Sequence, residues 1–267
     1  MPTFDTNALA QEFLSAFQTG EVIPLPPSSR YPDFDLAAAY AVEAEFSRLR
    51  QQSGRQTVGR KVGYANKAVW RVLKLQTLLW AHMYDDTVQY AEGNSAALTL
   101  PYDRSSKIEP EIVFKLSQPL ADRSLDAAAV LHHVEWMAIG FEIIDCPYPE
   151  WQFKPADFVA AFGLHLRLVV GPTLPITPEL IPAIAEGLAG FKLRALKNGQ
   201  LVEEGSGKNS LRSPALCLAE LSGWTSLSAG ELVSTGTLTA GHAVTRGETW
   251  QIEIDGLPLS SFSLQVG

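Results

Sequence analysis

Cysteine is nearly absent. The 267 residues contain two thiols, Cys146 and Cys217, far apart and in no CxxC or Cys/His pattern. That spacing excludes a disulfide framework and a structural zinc site. Positive charge is also in short supply, with 21 Lys and Arg against 29 Asp and Glu and a net charge of −8. The balance argues against nucleic acid or an anionic membrane as a partner. No GxSxG, HExxH or GxGxxG occurs, which removes the commonest serine-hydrolase, zincin and dinucleotide readings. GSGKNS at 205–210 has the tail of a phosphate loop but lacks its earlier glycine and opens no strong helix. Long apolar runs are missing too. The N-terminal stretch carries Asp5 and Glu12 in an amphipathic pattern, without a basic region leading into an apolar core. The expectation is a cytoplasmic protein with no signal peptide and no transmembrane span.

What is present is core. With 46% hydrophobic residues, a chain of this length can bury a large interior. Leu9, Phe13, Leu14 and Phe17 recur at helical period within Asn7–Phe17, and Gly20 closes that helix. After the proline-rich IPLPPSSRYPDFD, Asp35 is placed to cap a second helix running to about Arg50. These two helices predict an N-terminal lobe over residues 1–56, followed by one continuous unit over 57–267. From Thr57 the texture turns to short strands: TVGRKVGYAN, LWAHMYDDTVQY, LHLRLVVG, a hairpin turned by Asn198-Gly199, and three closing strands around Leu232–Ser234, Trp250–Ile254 and Leu259–Leu264. Short helices are expected around Lys67–Leu75 and Pro155–Phe162. A clearer one begins at Ser213-Pro214, serine as N-cap and proline at the first helical position, and stops at Gly223. Many strands with few central helices give an α+β fold built on a mixed, rolled sheet.

Two stretches carry the chemistry. KIEPEIVFKL places Glu109 and Glu111 two residues apart, so on a strand both point the same way, with Ile108, Ile112, Phe114 and Leu116 opposite. WMAIGFEIIDCPY holds a lone Glu142 in an apolar run, and a buried carboxylate needs a partner or must neutralise. A cation shared by Glu109, Glu111 and Glu142 would satisfy all three. The alternative is a solvated edge strand, continued by Lys107 and Lys115, with Glu142 paired to an arginine. Lys61, between Gly59 and Gly63, reads either as an acid/base or as a surface lysine on a strand. Asp85 and Asp86 either add a carboxylate to the site or simply make a turn. His82 and His165 lie in apolar company, where a satisfied core or supporting histidine is commoner than a ligand. His132 and His133 are assigned nothing.

GRKVGYANKAVW, MYDDTV, IEPEIVF, GFEIIDC, GKNS and ELVSTGTLTAGHAVTRGETWQIEIDGL occur in that order. This series resembles the fumarylacetoacetate hydrolase superfamily, and within it the branch of 2-keto-4-pentenoate hydratases and 4-oxalocrotonate decarboxylases. The resemblance covers most of the chain, including the N-terminal helices. It implies a mixed β-sandwich roll of the fumarylacetoacetase C-terminal type, with one Mg²⁺ or Mn²⁺ held by Glu109, Glu111 and Glu142. It further implies Lys61 as acid/base, with Asp85 as a second catalytic candidate and Lys208 in GKNS as a substrate contact. The segment DFVAAFGLHL stands where hydratases carry a D-N-A-[SA]-like sequence, which brings Phe162 and His165 forward as substrate-binding candidates. LLWAHMYDD replaces the usual P-D-Y-G.

The activity so implied is a metal-dependent lyase that hydrates or decarboxylates a small anionic 2-keto or 2-hydroxydienoic acid, in a homo-oligomer of two or more subunits. Oxygen ligands suit a hard divalent ion acting as a Lewis acid. Two other functions compete. One is an acylpyruvate-type C–C bond hydrolase, which would use a His–Glu pair ahead of the metal site, where no histidine precedes His82. The other is a non-catalytic homologue, which gives no reason to gather three carboxylates.

Overall fold

Strand periodicity organises the molecule, seen in a computed structural model that describes residues 4–267. Three helices come first: α1 (Thr6–Thr19), α2 (Pro27–Arg30) and α3 (Leu36–Gln52). Asp5 and Asp35 accept backbone N–H groups at the starts of α1 and α3, and Gly20 ends α1 in the left-handed conformation with φ 77°. Next come β1 (Thr57–Gly63), α4 (Lys67–Leu73), β2 (Leu79–Tyr84), β3 (Val88–Tyr90), β4 (Ser95–Leu98) and the long β5 (Ser106–Leu116). The middle of the chain forms α5 (Ala127–Leu131), β6 (Val134–Asp145), α6 (Pro155–Ala160), β7 (His165–Val170), β8 (Leu174–Pro175) and α7 (Ile181–Gly190). β9 (Lys192–Lys197), β10 (Gln200–Ser206), α8 (Pro214–Ser222), β11 (Leu232–Ser234), β12 (His242–Val244), β13 (Thr249–Asp255) and β14 (Phe262–Val266) complete it.

Among the described residues the strands form two mixed sheets. The nine-stranded sheet runs β2-β1-β11-β5-β6-β7-β3, with β12 on β5 and β8 on β6; the five-stranded sheet runs β10-β9-β13-β14-β4. β5 and β6 pair along nearly their whole lengths, from Ser106–Asp145 to Leu116–Val134. One face of that pair, with Ile108, Ile112, Phe114, Ile139 and Phe141, packs on Trp250, Ile252, Phe262 and Leu264 of the smaller sheet and forms the main core. The other face of the large sheet buries a smaller cluster of Met83, Val113, Ala138, Leu168, Val170 and Leu232. This second face also carries the glutamates, because 109, 111 and 113 share one side of β5, and 138, 140 and 142 one side of β6. An α+β mixed sandwich with curled sheets is the result. No helix among the described residues is long and apolar enough to cross a membrane.

The N-terminal helices are pinned by aromatics. Phe46 of α3 stacks on Phe162 with centroids 4.4 Å apart, and Phe17 of α1 meets Phe162 edge-on at 5.1 Å. Local expectations hold in most places. Asn198 and Gly199, with φ of 51° and 77°, turn the β9–β10 hairpin. Two differ. Ser213 occupies the N-cap of α8, but its Oγ makes no capping bond and is buried without a partner, so Pro214 alone marks the start. The last strand begins at Phe262, later than the expected Leu259, because Ser260 and Ser261 remain outside it.

Candidate active site

Strand register builds the cluster. Glu109 faces Glu142 across the β5–β6 ladder, while Glu111 faces Gly140, whose missing side chain leaves room beside it. The carboxylates of Glu109, Glu111 and Glu142 bring oxygens within 4.8 Å of one another. β5 lies between β11 and β6 rather than at an edge, and Glu111 and Glu142 are both 0% exposed, so the solvated-edge reading does not describe them. Ser234 Oγ donates to Glu111 Oε2 at 2.6 Å, and Gly236 N–H donates to the same oxygen at 2.9 Å. Glu142 Oε1 lies 2.8 Å from His165 Nδ1, and its Oε2 lies 3.1 Å from Lys61 Nζ. The partners of Glu142 are thus a lysine and a histidine, where the alternative had expected an arginine.

Lys61 is 2% exposed, which removes the surface-lysine reading. Its ammonium donates to the Gly163 carbonyl at 2.8 Å and sits 5.0 Å from the Phe158 ring centroid. The close approach needs Gly163: a Cβ there would lie 2.7 Å from Lys61 Cδ, and its φ of +67° favours glycine. His165 Nε2 meets Thr87 Oγ1 at 3.0 Å, so Thr87 orients the histidine that orients Glu142.

Charge crowding sets the protonation of the cluster. Burial, reinforced by the Glu142 charge, pushes Glu109 up to about 7 despite the pull of Lys61 and Lys107. Glu111 is held well above the carboxylate range by burial and Glu142. Glu142 is lowered, since Lys61 and His165 outweigh its burial. Burial opposes the charge on Lys61, but the three carboxylates outweigh it and hold the ammonium above the ordinary lysine range. Burial lowers His165 against the pull of Glu142. Glu111 Oε1 is buried without a hydrogen bond, and Glu142 Oε2 has the Lys61 ammonium beside it. Carboxylate oxygens converging from three residues fit a divalent cation of the Mg²⁺ or Mn²⁺ type.

Glu109 and Lys61 open onto a cavity of about 560 Å³, a size suited to a small organic acid. Tyr64, Trp151, Phe153 and Phe158 form aromatic wall, and Lys107, Asn66, Asn209 and Thr237 add polar groups. Glu203 also lines it, accepting from Ala240 N–H at 3.1 Å and lying 2.5 Å from His242 Nε2. Gly241 leaves room for Glu109 at this rim, since a Cβ there would stand 2.7 Å from Glu109 Oε1.

The remaining candidates lie elsewhere. Asp85 is exposed and pairs with the Gln56 backbone, because the turn after β2 directs it outward; two residues on, Thr87 is the one that reaches the cluster. Asp86 is held by Arg50 and Arg55. Phe162 belongs to the aromatic cluster under α1 and α3, turned there by left-handed backbone at 162–164, and does not line the cavity. Lys208 is exposed and also outside the lining, although Asn209 beside it lies within. His82 is satisfied by Glu43 at 2.7 Å. Sequence reasoning passed over Ser234, Thr87, Trp151, Glu203 and His242. Of these, Thr87 in MYDDTV and Ser234 and His242 in the long C-terminal segment lay within motifs already singled out, whereas Trp151 and Glu203 did not.

Residues 62–262 match the fumarylacetoacetate hydrolase C-terminal family. The chain belongs to that family. Within it, the chain is 28% identical over 253 residues to a 2-keto-4-pentenoate hydratase of Paraburkholderia xenovorans, covering 93% of this chain and 90% of the relative. It is 26% identical over 237 residues to a 4-oxalocrotonate decarboxylase of a Pseudomonas species, covering 85% of this chain and 84% of the other. A solved 4-oxalocrotonate decarboxylase from Pseudomonas putida, complexed with magnesium and adipate, superposes with a TM-score of 0.88. It covers 100% of both chains at 23% identity. The likeness in fold to that decarboxylase therefore extends through the N-terminal helices as well as the sheets.

Proposed function

We propose that this family member is a divalent-metal-dependent lyase that hydrates or decarboxylates a 2-keto or 2-hydroxydienoic acid. The observation that carries the reading is the convergence of Glu109, Glu111 and Glu142 beside a buried lysine, at the base of a cavity sized for such an acid. The three glutamates would hold Mg²⁺ or Mn²⁺. When bound, the ion would supply a Lewis acid for the carboxylate and 2-oxo oxygens of the substrate.

The chain's own residues supply the rest. Lys61 has three N–H donors; the Gly163 carbonyl and Glu142 engage two, which leaves one to present to a substrate oxygen or to move a proton during enol–keto exchange. Ser234 and Gly236 fix the direction of Glu111, and His165, backed by Thr87, fixes Glu142. Tyr64, Phe158, Trp151 and Phe153 offer flat apolar surface to a conjugated chain and limit water. The helices of residues 1–56 act as a lobe that backs this wall through Phe46 and Phe162. Two free, buried thiols suit a reducing cytoplasm.

A panel of 2-hydroxypentadienoate, 4-oxalocrotonate and an acylpyruvate, followed by ultraviolet absorbance and product mass, tests the reading. Turnover of a dienoate, abolished by EDTA and by Glu142→Gln while circular dichroism stays unchanged, is the expected result. Full activity in Glu142→Gln would overturn the ligand assignment. Acylpyruvate cleavage alone would move the chain to the hydrolases, with Glu203 and His242 as its carboxylate–histidine pair.

A further inference from the structure

We propose that a second cavity, between α3, the turn joining β2 to β3, and β7, binds a phosphate dianion on Arg50, Arg55 and Arg167, either as the free ion or as the monoester of a small molecule. This cavity holds about 350 Å³ and shares no lining residue with the one above the glutamates. It is a separate site.

Three guanidinium groups reach the cavity from different parts of the chain: Arg50 from the last turn of α3, Arg55 from the connection after it, and Arg167 from β7. A single carboxylate, Asp86, lines the cavity with them. Arg50 donates to one oxygen of Asp86, and Arg55 Nε lies 3.2 Å from the other. Those two contacts already answer the carboxylate and staple α3 to the turn. Arg167 is left over. It makes no ion pair among the described residues, and it donates to the carbonyl of its own neighbour, Leu166, at 2.7 Å. Burial lowers it below the ordinary arginine range against the pull of Asp86, as expected of a desolvated cation with too little counter-charge. Asp85, the other acid of the turn, is exposed and accepts from the Gln56 N–H at 3.3 Å.

The arginines are also held in place. Arg50 is 4% exposed, and its Cζ lies 5.2 Å from the Phe17 ring centroid and 4.8 Å from that of Tyr84. Its Nε is buried without a hydrogen bond. A guanidinium clamped by two rings has given up its rotamer freedom before any ligand arrives. In a chain of net charge −8, three such cations around one carboxylate are a local exception. The arginine fork suits carboxylate and phosphate alike. Donors converging from three elements favour a tetrahedral anion, which presents oxygens in several directions, over a planar one. The volume exceeds what the bare ion fills, and Phe17, Pro101 and Leu166 give the remainder an apolar wall where the organic part of a small ester would rest.

The test is isothermal titration of the full chain with inorganic phosphate, after dialysis free of metal and chelator so that no cation carries phosphate to the glutamates. One phosphate should bind per chain. Arg167→Met should weaken it by about tenfold or more, and Arg167→Lys, which keeps the charge but loses the fork, should fall between. Asp86→Asn, which removes the competing carboxylate, should tighten binding, an effect that a purely structural staple would not produce. Arg71→Met, on exposed α4 outside the cavity, should change nothing. Glycerol 3-phosphate serves as the ester probe: tighter binding than inorganic phosphate identifies a monoester as the source, and weaker binding identifies the free ion. No heat of binding, or equal losses in Arg167→Met and Arg71→Met, would overturn the site. Succinate binding as tightly as phosphate would overturn the choice of a tetrahedral anion.

Discussion

Replacing Lys61 by methionine separates its electrostatic role from its packing role, because the stem length is kept and the charge is lost. In the metal-free protein Lys61 is the cation nearest three crowded carboxylates, 3.1 Å from Glu142 Oε2 and 2% exposed. Breaking a buried pair by removing one partner costs about 3–5 kcal/mol. At this depth no solvent discount applies. Domains of this size lose roughly 2–4 °C of melting temperature per kcal/mol, so Lys61→Met should melt on the order of 10 °C lower in EDTA. The glutamates can escape part of the penalty by taking up protons, as Glu109 already tends to do, pushed up to about 7 by its burial. The measurement therefore belongs near pH 8, where that escape is restricted. A divalent cation at Glu109, Glu111 and Glu142 supplies the missing charge directly. Loss of the competing ammonium should make the variant bind Mg²⁺ more tightly than the parent, and in saturating Mg²⁺ the gap should narrow by about 1.4 kcal/mol for each tenfold gain in affinity. Turnover should nonetheless fall by orders of magnitude. The same melting loss with and without Mg²⁺, by calorimetry, would refute the reasoning, because it would mean that the ammonium and the cation do not answer the same charge.

Two further perturbations probe the surroundings. Gly63→Ala places a Cβ 2.2 Å from Phe158 Cζ, so the ring must leave the cavity wall. A loss of about 1–3 kcal/mol in urea unfolding and a raised KM are expected, and an unchanged midpoint would mean that Phe158 moves freely. Glu248 is held below the carboxylate range, since Lys197 at 2.5 Å, Thr245 and Trp250 outweigh its burial. A lowered carboxylate contributes stability that is present above its unfolded value and lost as pH falls through its folded one. Glu248→Gln should therefore cost about 1 kcal/mol at pH 7, with the gap to the parent closing below about pH 4. A gap that persists at pH 3 would point to packing instead of charge.

How much of the site was legible depended on how local its cause is. That Glu109 and Glu111 share a face follows from the two-residue period, and the apolar opposite face made the strand itself plain. Their depth was not legible, because it comes from β11 and β6 flanking β5, a pairing that spans over a hundred residues on one side. Glu142 looked anomalous in an apolar run, and it is; but its register opposite Glu109 is set by the β5–β6 ladder, and its neighbour His165 is brought in by β7, whose pairing with β6 shifts at Ile143–Ile144. α7 was not assigned from the sequence, although Ile181, Ile184 and Leu188 hold the helical spacing and are buried. Asp85 failed for the opposite reason: a carboxylate is conspicuous in a string of letters, whereas Thr87 is not. At a turn, a displacement of two residues decides which side chain faces the interior, and no periodicity encodes that choice. The same limit explains Lys107. Its place on the glutamate face was plain from spacing, but whether it faced water or a cavity was settled by Trp151, which reaches it from beyond the end of β6. Chemistry carried on one strand can be read along that strand, while the partners that give each charge its meaning come from elsewhere in the chain.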